Sequence, residues 1–560
     1  MTNLPDTDKL ILTLLDKTEE LIHLDKFEDA EYFLSQIEKH KPGDLNVPFQ
    51  RGTMFMKQKE YEKALKQFLI VQEKLPDFFA NVNNIGAAYY KMHRYNSAID
   101  YFKRALEIKP DTDFVLAILA EALFRRGNHE ESHSYFKRAI EISPTMFRTH
   151  SDMLLGVLYS DMFSPEYIKA EAEKFGENIT KEVRVNTEFS NDKNPDRKLK
   201  IGYLSADFRD HPIPYFLESL FKNHDREKFE IHVYSTTLFD NPILQRLKKP
   251  VEHWKDVHTL SDEKICAEII EDKIDILLDL AGHTAYNHLK VFAQRAAPIQ
   301  ASWVGYPGTT GLKTMDYKIT DPHLEHAGYE DGNTEELWRL PKIFCCYTPH
   351  EKSPAVIDHP PFEDNGYVTF GCFNNFAKVG DNVLKGWAEI LLQVTDARLF
   401  IEIDGIQEDS FKASVESRMK AQGMPMGRVI LEPRKRENQF ALYNKVDIAL
   451  DPFPANGGTT SMDTLWMGVP FVTLAGRHYI GRMGKSILTN AGLPELIAQS
   501  SEEYVSIAVN LAKDKDRLRR IRHNLRDRFS NSPAMDAPAF TKDMEEAYRG
   551  MWKKYCGASS

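Results

Sequence analysis

The sequence predicts a helical repeat array followed by two α/β domains, and three observations support this fold class. A 34-residue periodicity runs through the first quarter of the chain. Beyond it, short apolar runs alternate with helical stretches in two series, which is typical of parallel sheets covered by helices on both faces. A chain of 560 residues is also too long for a single core. We expect repeats over 1–150, a helical transition and linker over 151–197, and Rossmann-like α/β lobes over 198–350 and 360–560.

Composition narrows the class of protein before any motif is considered. The chain carries 72 basic and 83 acidic residues, a net charge of -11, which argues against a nucleic-acid-binding surface. No apolar run approaches the roughly 20 residues that span a bilayer. The acidic N-terminus does not resemble a secretory signal. Because the five cysteines are few and show no Cys-x-x-Cys spacing, we expect a reducing, cytoplasmic location. From the charge and the lack of a long apolar run, we expect no nucleic-acid or membrane partner.

The repeat is defined by similar residues at a constant spacing of 34 positions. They are Pro42, Pro76, Pro110 and Pro144; Ala30, Ala64 and Ala98; Leu34, Phe68, Phe102 and Phe136; and Gly52 and Gly86. A small residue where helices cross and a proline that closes each unit resemble the tetratricopeptide repeat. Such helical hairpins bury their apolar stripes only by stacking on neighbours. We expect a groove that holds a peptide or partner protein, with a structural or dimerising role as the alternative.

In the first α/β series, histidines lie in loops that follow two apolar runs. The runs at 200–205 and 274–280 are expected to be strands, and the loops after them contain His211 and His283. Ligand residues of parallel sheets lie in the loops after the carboxyl ends of the strands. Histidine at such a position is suited to proton transfer or hydrogen bonding. We therefore consider both to be functional candidates, with a structural histidine as the alternative.

The second α/β series contains a loop suited to a phosphate group, within the stretch 451–474. A helix is expected to begin there at Thr459 and Thr460, after a buried strand. Gly457 and Gly458 permit a sharp turn and close approach of a ligand to the backbone. The two threonine hydroxyls are expected to be N-caps beside the free amides of the first helical turn. The alternative interpretation is an ordinary connection between a strand and a helix.

Several ordered motifs resemble glycosyltransferase family 41, the O-GlcNAc transferase and SPINDLY family. They are Gly202-Tyr203-x-Ser205-x-Asp207-Phe208 with His211; Gly282-His283-Thr284; Ala297-Pro298-Ile299-Gln300; Gly305-Tyr306-Pro307-Gly308-Thr309; Phe373-Asn374-Asn375-x-x-Lys378; and Gly457-x-Thr459-Thr460-x-x-Asp463. The resemblance covers nearly the whole chain and implies the GT-B fold, in which two Rossmann-like lobes face each other. Chain length and the short repeat array are typical of bacterial members.

The resemblance implies inverting transfer of a sugar from a nucleotide-sugar donor to serine or threonine of a protein acceptor recruited by the repeats. Lys378 would neutralise the diphosphate as it leaves, so that neither a metal ion nor a cofactor is expected. His211 would lie on the acceptor side, where it orients the hydroxyl or acts as the general base. Asp463 would repel phosphate, and we therefore assign it to the ribose hydroxyls.

The complete set of candidates has two sides. The nucleotide-sugar side comprises Asn375, Gln439, Gly457, Gly458, Thr459, Thr460 and Asp463, and the sugar or acceptor side comprises His283, Pro307, Gly308 and Thr309. Within the first group, Asn375 is expected to contact the base or the ribose. His211 and Lys378 are the predicted catalytic residues.

Two positions depart from the pattern of animal members, which have a histidine before the Thr-Thr pair and another in the loop of an earlier strand. They are Gly458 and Gln439 here, with Arg434 and Arg436 nearby. The donor base therefore stays open: UDP-GlcNAc is the first choice, and GDP-fucose or UDP-glucose are the alternatives. An alternative of another class is a non-catalytic repeat scaffold with a decayed domain, against which the joint presence of the candidate residues argues.

Overall fold

The computed structural model describes residues 6–351, 353–357, 359–434 and 439–557. The chain divides into two compact units, Met1–Ser143 with Gln407–Ala413, and Pro144–Ile406 with Ser414–Ser560. None of the described helices combines the length and the apolar character needed to cross a membrane.

The first unit consists of antiparallel helical hairpins. Its helices are α1 (Asp6–His23), α2 (Phe27–His40), α3 (Asn46–Lys57), α4 (Tyr61–Lys74), α5 (Phe79–Lys91), α6 (Tyr95–Ile108), α7 (Asp113–Arg125) and α8 (His129–Ile142). The periodic glycines let successive helices approach closely. A Cβ at Gly52 would lie 2.5 Å from the Phe68 ring, and one at Gly86 would lie 2.7 Å from the Phe102 ring. The 34-residue spacing thus reproduces one packing contact in consecutive hairpins.

The second unit begins with α9 (Phe147–Val157) and α10 (Pro165–Lys181). At the start of α10, the Ser164 hydroxyl accepts a hydrogen bond from the Tyr167 amide and Pro165 occupies the first turn, both of which favour a helix N-terminus. Residues of both helices, Leu154, Ala172 and Phe175, belong to the buried core of the first α/β lobe. The transition region is therefore part of the lobe that follows it.

The N-terminal lobe is built around a parallel sheet of seven strands. These are β1 (Leu199–Ser205), β2 (Phe229–Ser235), β3 (His253–Asp256), β4 (Ile276–Asp279), β5 (Ile299–Ser302), β6 (Tyr317–Thr320) and β7 (Glu336–Arg339), in the order β3-β2-β1-β4-β5-β6-β7. The helices are α11 (Pro212–Asn223), α12 (Pro242–Lys248), α13 (Asp262–Glu271) and α14 (Leu289–Ala293). The central strands β1 and β4 are almost entirely buried, which explains their continuous apolar runs.

The C-terminal lobe has a second parallel sheet, in the order β10-β9-β8-β11-β12-β13. Its strands are β8 (Thr369–Cys372), β9 (Arg398–Ile403), β10 (Val429–Pro433), β11 (Ile448–Leu450), β12 (Phe471–Leu474) and β13 (Ile497–Ala498). The helices are α15 (Pro361–Asn365), α16 (Asp381–Gln393), α17 (Asp409–Ala421), α18 (Gln439–Tyr443), α19 (Thr459–Trp466), α20 (Met483–Asn490), α21 (Ser501–Lys513), α22 (Lys515–Ser530) and α23 (Ala537–Tyr555).

The last helix, α23, packs against α11 of the N-terminal lobe. The Tyr548 hydroxyl lies 2.9 Å from the Tyr203 hydroxyl on β1, and Arg549 donates to the carbonyl of Pro195 over 2.6 Å. Both tyrosines are fully buried. The end of the chain therefore ties the two lobes of this unit together.

Candidate active site

The candidate site lies where the strand order of the C-terminal sheet reverses. The chain runs outward in one direction from β8 and in the other from β11, and these two strands are neighbours. Ligands of open parallel sheets bind in the crevice at such a switch point, beyond the carboxyl ends of the strands. The loop after β8 contains Lys378, and the loop after β11 contains Gly457 and Gly458.

Lys378 is held by a backbone carbonyl in this crevice. It ends a short 3-10 turn, Phe376–Lys378, and its Nζ donates to the carbonyl oxygen of Asn456 over 2.7 Å. The ammonium also lies 5.7 Å from the centre of the Tyr159 ring. Burial lowers the pKa of Lys378, and the nearby charge of Asp451 opposes that shift. No described carboxylate forms an ion pair with Lys378, so its charge is available to an anion.

Asp451, the residue directly after β11, holds the glycine loop in place. Its side chain is only 2% exposed, and its carboxylate accepts from the Gly457 amide and from the Thr473 hydroxyl, each over 2.8 Å. Burial raises the pKa of Asp451 to about 7. Asp451 is not among the predicted site residues, although an aspartate at the end of a buried apolar strand is a signal for a structural or functional role.

Asn456 is a second residue whose role was missed. It is fully buried, its amide donates to the Pro452 carbonyl over 3.0 Å, and its side-chain oxygen accepts from the Gly484 amide over 3.4 Å. These contacts fix the carbonyl that binds Lys378. A buried asparagine can satisfy its groups only in the folded loop, and the sequence carries no separate signal for it.

Helix α19 begins at the predicted residue, but its cap differs from the prediction. Gly458 is the N-cap, with φ −105° and ψ −93°, and no side chain caps the helix. Thr459 and Thr460 are therefore the first two helical residues rather than N-caps, and neither hydroxyl has a hydrogen-bond partner in the described part of the chain. A Cβ at Gly458 would lie 2.7 Å from the Met483 methyl group. The free amides of the first turn remain directed at the crevice.

Asp463 lies one turn further along α19 and contacts the segment between the lobes. The buried Tyr347 hydroxyl donates a hydrogen bond to its Oδ1. Burial raises the pKa of Asp463 to about 7, while the Tyr347 hydrogen bond and the charge of Arg434 act in the opposite direction. Oδ2 has no hydrogen-bond partner among the described residues. That oxygen is free to accept from a ligand hydroxyl.

His211 is the N-cap of α11 in the N-terminal lobe. Its Nδ1 accepts from the Ile213 amide over 3.4 Å and lies 3.7 Å from Oδ2 of the buried Asp207. The ring is 29% exposed, and burial lowers its pKa, which favours the neutral imidazole. The ring of Tyr215, one turn after His211, lies 6.4 Å from the ring of Tyr347, whose hydroxyl donates to Asp463 on α19. The start of α11 therefore lies close to α19.

His283, which was predicted on the sugar or acceptor side, is enclosed by the protein. It is fully buried, its Nε2 donates to the Thr310 carbonyl, and its Nδ1 accepts from the Ser151 hydroxyl, each over 2.9 Å. Its ring also packs edge-on against Phe175, with centroids 4.6 Å apart. Burial lowers its pKa to about 3. Because both nitrogens are hydrogen-bonded within the protein and the ring packs against Phe175, His283 joins α9 and α10 to the lobe, and we interpret it as a structural residue.

Pro307, Gly308 and Thr309 line a pocket whose opposite wall is the segment 477–482 after β12. Thr309 is almost fully buried, and its hydroxyl donates to Glu335 over 2.6 Å. Pro307 and Gly308 are partly exposed. The preceding residue, Tyr306, packs in one apolar cluster with Ala455 of the glycine loop. The pocket lining does not include Lys378 or Gly457.

The remaining candidates lie at the edges of the crevice. Asn375 is exposed, and its side chain accepts from the Ala377 amide over 3.0 Å. Gln439 begins α18 and is half-buried. Arg434 is exposed after β10, and Arg436 lies outside the described residues. None of these positions identifies the nucleotide base of the donor.

Comparison with known sequences agrees with this architecture. The profile of glycosyl transferase family 41 matches residues 161–353 and 362–544, and a tetratricopeptide repeat profile matches residues 78–145. The chain belongs to glycosyl transferase family 41. The family resemblance, the fold class and the enzyme class expected from the sequence are therefore confirmed.

Two similar curated proteins come from plants. The chain is 41% identical over 376 residues to the Arabidopsis thaliana protein described as "Probable UDP-N-acetylglucosamine--peptide N-acetylglucosaminyltransferase SPINDLY", and this covers 66% of the chain and 41% of the relative. It is 38% identical over 413 residues to the corresponding Hordeum vulgare protein, covering 73% of the chain and 44% of the relative. The chain thus matches about two fifths of the length of these relatives.

A solved structure matches over the whole length. It is a mutant of Thermobaculum terrenum O-GlcNAc transferase, 30% identical, with a TM-score of 0.83. The alignment covers 100% of this chain and 99% of the other. The repeat array followed by two Rossmann-like lobes of GT-B type is therefore an arrangement that a solved member also has.

Proposed function

We propose that this protein is an inverting, metal-independent protein O-glycosyltransferase that moves a sugar from a nucleotide-sugar donor to serine or threonine. The observation that carries the proposal is the environment of Lys378. Its ammonium is anchored on the Asn456 carbonyl, beside the glycine loop, and forms no ion pair with a described carboxylate. A positive group fixed before the reaction stabilises the charge that develops on a leaving diphosphate.

The first turn of α19 supports the same assignment. Free backbone amides at a helix N-terminus attract phosphate, and Gly457 and Gly458 bring no side chains that would block it. We propose that the diphosphate lies between this turn and Lys378, with the threonine hydroxyls as further donors. Asp463 then faces the ribose hydroxyls with its free Oδ2, because a carboxylate would repel the phosphates.

His211 is proposed to act on the acceptor hydroxyl. Its pKa is lowered by burial, so the ring is neutral near pH 7 and can accept a proton. While Nδ1 accepts from the Ile213 amide, the proton of the neutral ring lies on Nε2, which can donate to the acceptor oxygen. For the ring to act as the base, its proton must lie on Nδ1, which is 3.7 Å from Oδ2 of Asp207, and Nε2 then accepts the hydroxyl proton. In an inverting transfer the acceptor oxygen attacks as the diphosphate departs, and the proton of the hydroxyl passes to the base. An equally simple role is to orient the hydroxyl.

Substitution of Lys378 tests the proposal directly. We expect Lys378→Ala to lower kcat by about 10²- to 10³-fold, the usual cost of losing one transition-state donor. The matched control is Lys385→Ala, an exposed lysine on α16 of the same lobe, which should retain full activity. Transfer is measured with radiolabelled donor and protein acceptor, and folding by circular dichroism. Equal rates for the two variants would disprove the leaving-group role, and a fall of kcat in EDTA at an unchanged melting temperature would disprove metal independence.

UDP-GlcNAc is the proposed donor. The plant relatives are named for UDP-N-acetylglucosamine and the solved relative for O-GlcNAc, which supports this choice. GDP-fucose and UDP-glucose are the alternatives, since Gly458 carries no side chain to stack on a base. Calorimetric titration of the protein with a panel of UDP- and GDP-sugars distinguishes these donors. Tighter binding of GDP-fucose would overturn the assignment of the base and the sugar but keep the mechanism.

The repeats are proposed to recruit the protein acceptor, and dimerisation is their alternative role. If the repeats recruit the acceptor, a short peptide from the acceptor and the full-length acceptor protein should differ in KM but not in kcat. A non-catalytic scaffold would show neither donor hydrolysis nor transfer. We also propose a reducing, cytoplasmic location, which the five free cysteines support.

A further inference from the structure

Three potential metal ligands lie together at the edge of the N-terminal sheet that is formed by β3 and its neighbour β2. His232 on β2 and His253 on β3 are direct partners in the parallel register of these strands. Glu230 precedes His232 by two residues, so its side chain lies on the same face of β2. All three side chains therefore occupy one face of two neighbouring strands, at the start of β3 and in the first four residues of β2.

The side chains are already close to a metal-binding geometry. The Nε2 atoms of His232 and His253 lie 2.8 and 3.3 Å from Oε1 of Glu230. All three ligand atoms lie within 4.8 Å of one another. Ligand atoms of a tetrahedral zinc ion are about 3.3 Å apart, given metal–ligand distances of about 2.0–2.1 Å. The two rings are stacked, with centroids 4.3 Å apart, and small rotations of the side chains would make the nitrogens converge.

We propose that Glu230, His232 and His253 form a binding site for a divalent zinc-type ion. Two imidazoles and one carboxylate are a donor set that suits zinc and its neighbours in the first transition series. His253 is 49% exposed, so a water molecule can reach the fourth coordination position. The buried His232 provides the fixed ligand, and the more exposed partners close on the ion.

This site is separate from the candidate active site. The carboxyl end of β1 leads to the loop of His211, whereas the cluster lies at the start of β3 and in the first four residues of β2. Strand β3 has four residues and is the edge strand of the sheet, paired with β2 alone. A metal ion held by both strands would clamp this short edge strand to the sheet. Its function is therefore structural.

Lys200 is the group that opposes an ion. It is the register partner of Glu230 on β1, and its Nζ lies 3.6 Å from Oε1 of Glu230. The same ammonium also donates to the carbonyl oxygen of Asp272 over 3.1 Å. A metal ion on Glu230 would displace Lys200 from the carboxylate or be weakened by its charge. Metal affinity should therefore depend on this lysine.

Calorimetric titration of the untagged, metal-stripped full chain with Zn²⁺ tests the proposal. We expect one equivalent to bind and to raise the melting temperature. His253→Ala and Glu230→Gln should weaken that binding by more than about tenfold, since even the loss of a group that only supports a ligand costs this much. The matched control is His258→Ala, an exposed histidine close in sequence, which should bind as the parent does. Co²⁺ in place of zinc should give the visible absorption of a tetrahedral ion.

A second variant separates metal binding from a structural role of the histidines. Lys200→Ala should tighten Zn²⁺ binding, because it removes the competing charge without touching a ligand. Absence of saturable binding, or equal weakening in the His253→Ala and His258→Ala variants, would overturn the proposal. Neither result would bear on sugar transfer, which is tested at Lys378.

Discussion

Both α/β lobes have a buried aspartate that holds a loop at the switch point of the sheet, but one loop is covered by protein and the other is open. In each sheet a buried aspartate stands at the carboxyl end of the strand that follows the reversal, Asp279 on β4 and Asp451 after β11. Asp279 accepts from the amides of Ala281 and Gly282, as Asp451 accepts from that of Gly457. Burial raises the pKa of Asp279 to about 6 and that of Asp451 to about 7.

The loops that these aspartates hold then diverge. The loop after Asp279 turns inward to His283, which is enclosed by Ser151 and the Thr310 carbonyl. The loop after Asp451 ends at the open first turn of α19, beside Lys378. A position at the carboxyl end of a strand is therefore necessary for a ligand site but not sufficient. Whether neighbouring elements cover the loop decides the outcome.

We expect the largest effects at the two predicted histidines: substitution of His211 should lower activity, and substitution of His283 should lower stability. His211→Asn keeps a capping side chain on α11 but removes the proton acceptor, so kcat should fall by about 10²- to 10⁴-fold with an unchanged melting temperature. His283→Ala should instead lower the free energy of unfolding by about 2–4 kcal/mol, because it leaves a cavity and two unpaired groups. Transfer rates and urea denaturation measure the two effects. If His283→Ala were stable but inactive, the assignment of His283 as structural would be wrong.

A smaller effect is expected at the glycines of the two loops. Gly282 has φ +53°, and a Cβ there would lie 2.3 Å from the Cβ of Tyr306, so Gly282→Ala should cost about 1–3 kcal/mol of stability. Gly458→Ala should change stability by less than about 0.5 kcal/mol, since the Met483 methyl group can move aside. Its effect should appear in the KM for the donor. Equal losses of stability in urea denaturation would contradict the contrast between a closed and an open loop.

A third contrast is the pH dependence of the two aspartates, whose effect is small over any single pH unit. Their pKa values in the folded protein lie above the ordinary aspartate value of 3.8, so the stability that each contributes is complete below pH 3.8 and is lost as pH rises. The loss ends near pH 6 for Asp279 and near pH 7 for Asp451, with a slope of at most about 1.4 kcal/mol per pH unit. Asp451→Asn should therefore flatten the stability profile between pH 6 and 7, whereas Asp279→Asn should not. Urea denaturation at pH 5, 6, 7 and 8 measures this, and identical profiles would refute it.

Much of the fold could be read from the sequence because its signals are local. The periodic glycines and phenylalanines indicate the repeat, and the apolar runs indicate the strands. The loop positions of Lys378 and Gly457 follow from the rule for parallel sheets. The closure of His283 could not be read in this way, because Ser151 lies 132 positions away. The N-cap also differed, since a threonine pair at a helix start signals a cap only when the backbone before it is known.

The sequence by itself determined the architecture and the family, because periodicity, strand alternation and ordered motifs are properties of the chain. Only the tertiary structure decided which candidate groups are open. Lys378 and His283 both follow strands of a parallel sheet, yet one keeps a charge without an ionic partner among the described residues and the other lies in a core. The reason is that burial and hydrogen-bond saturation depend on elements distant in sequence. Asp451 and Asn456 acquire their roles in the same way, through contacts that exist only in the folded loop.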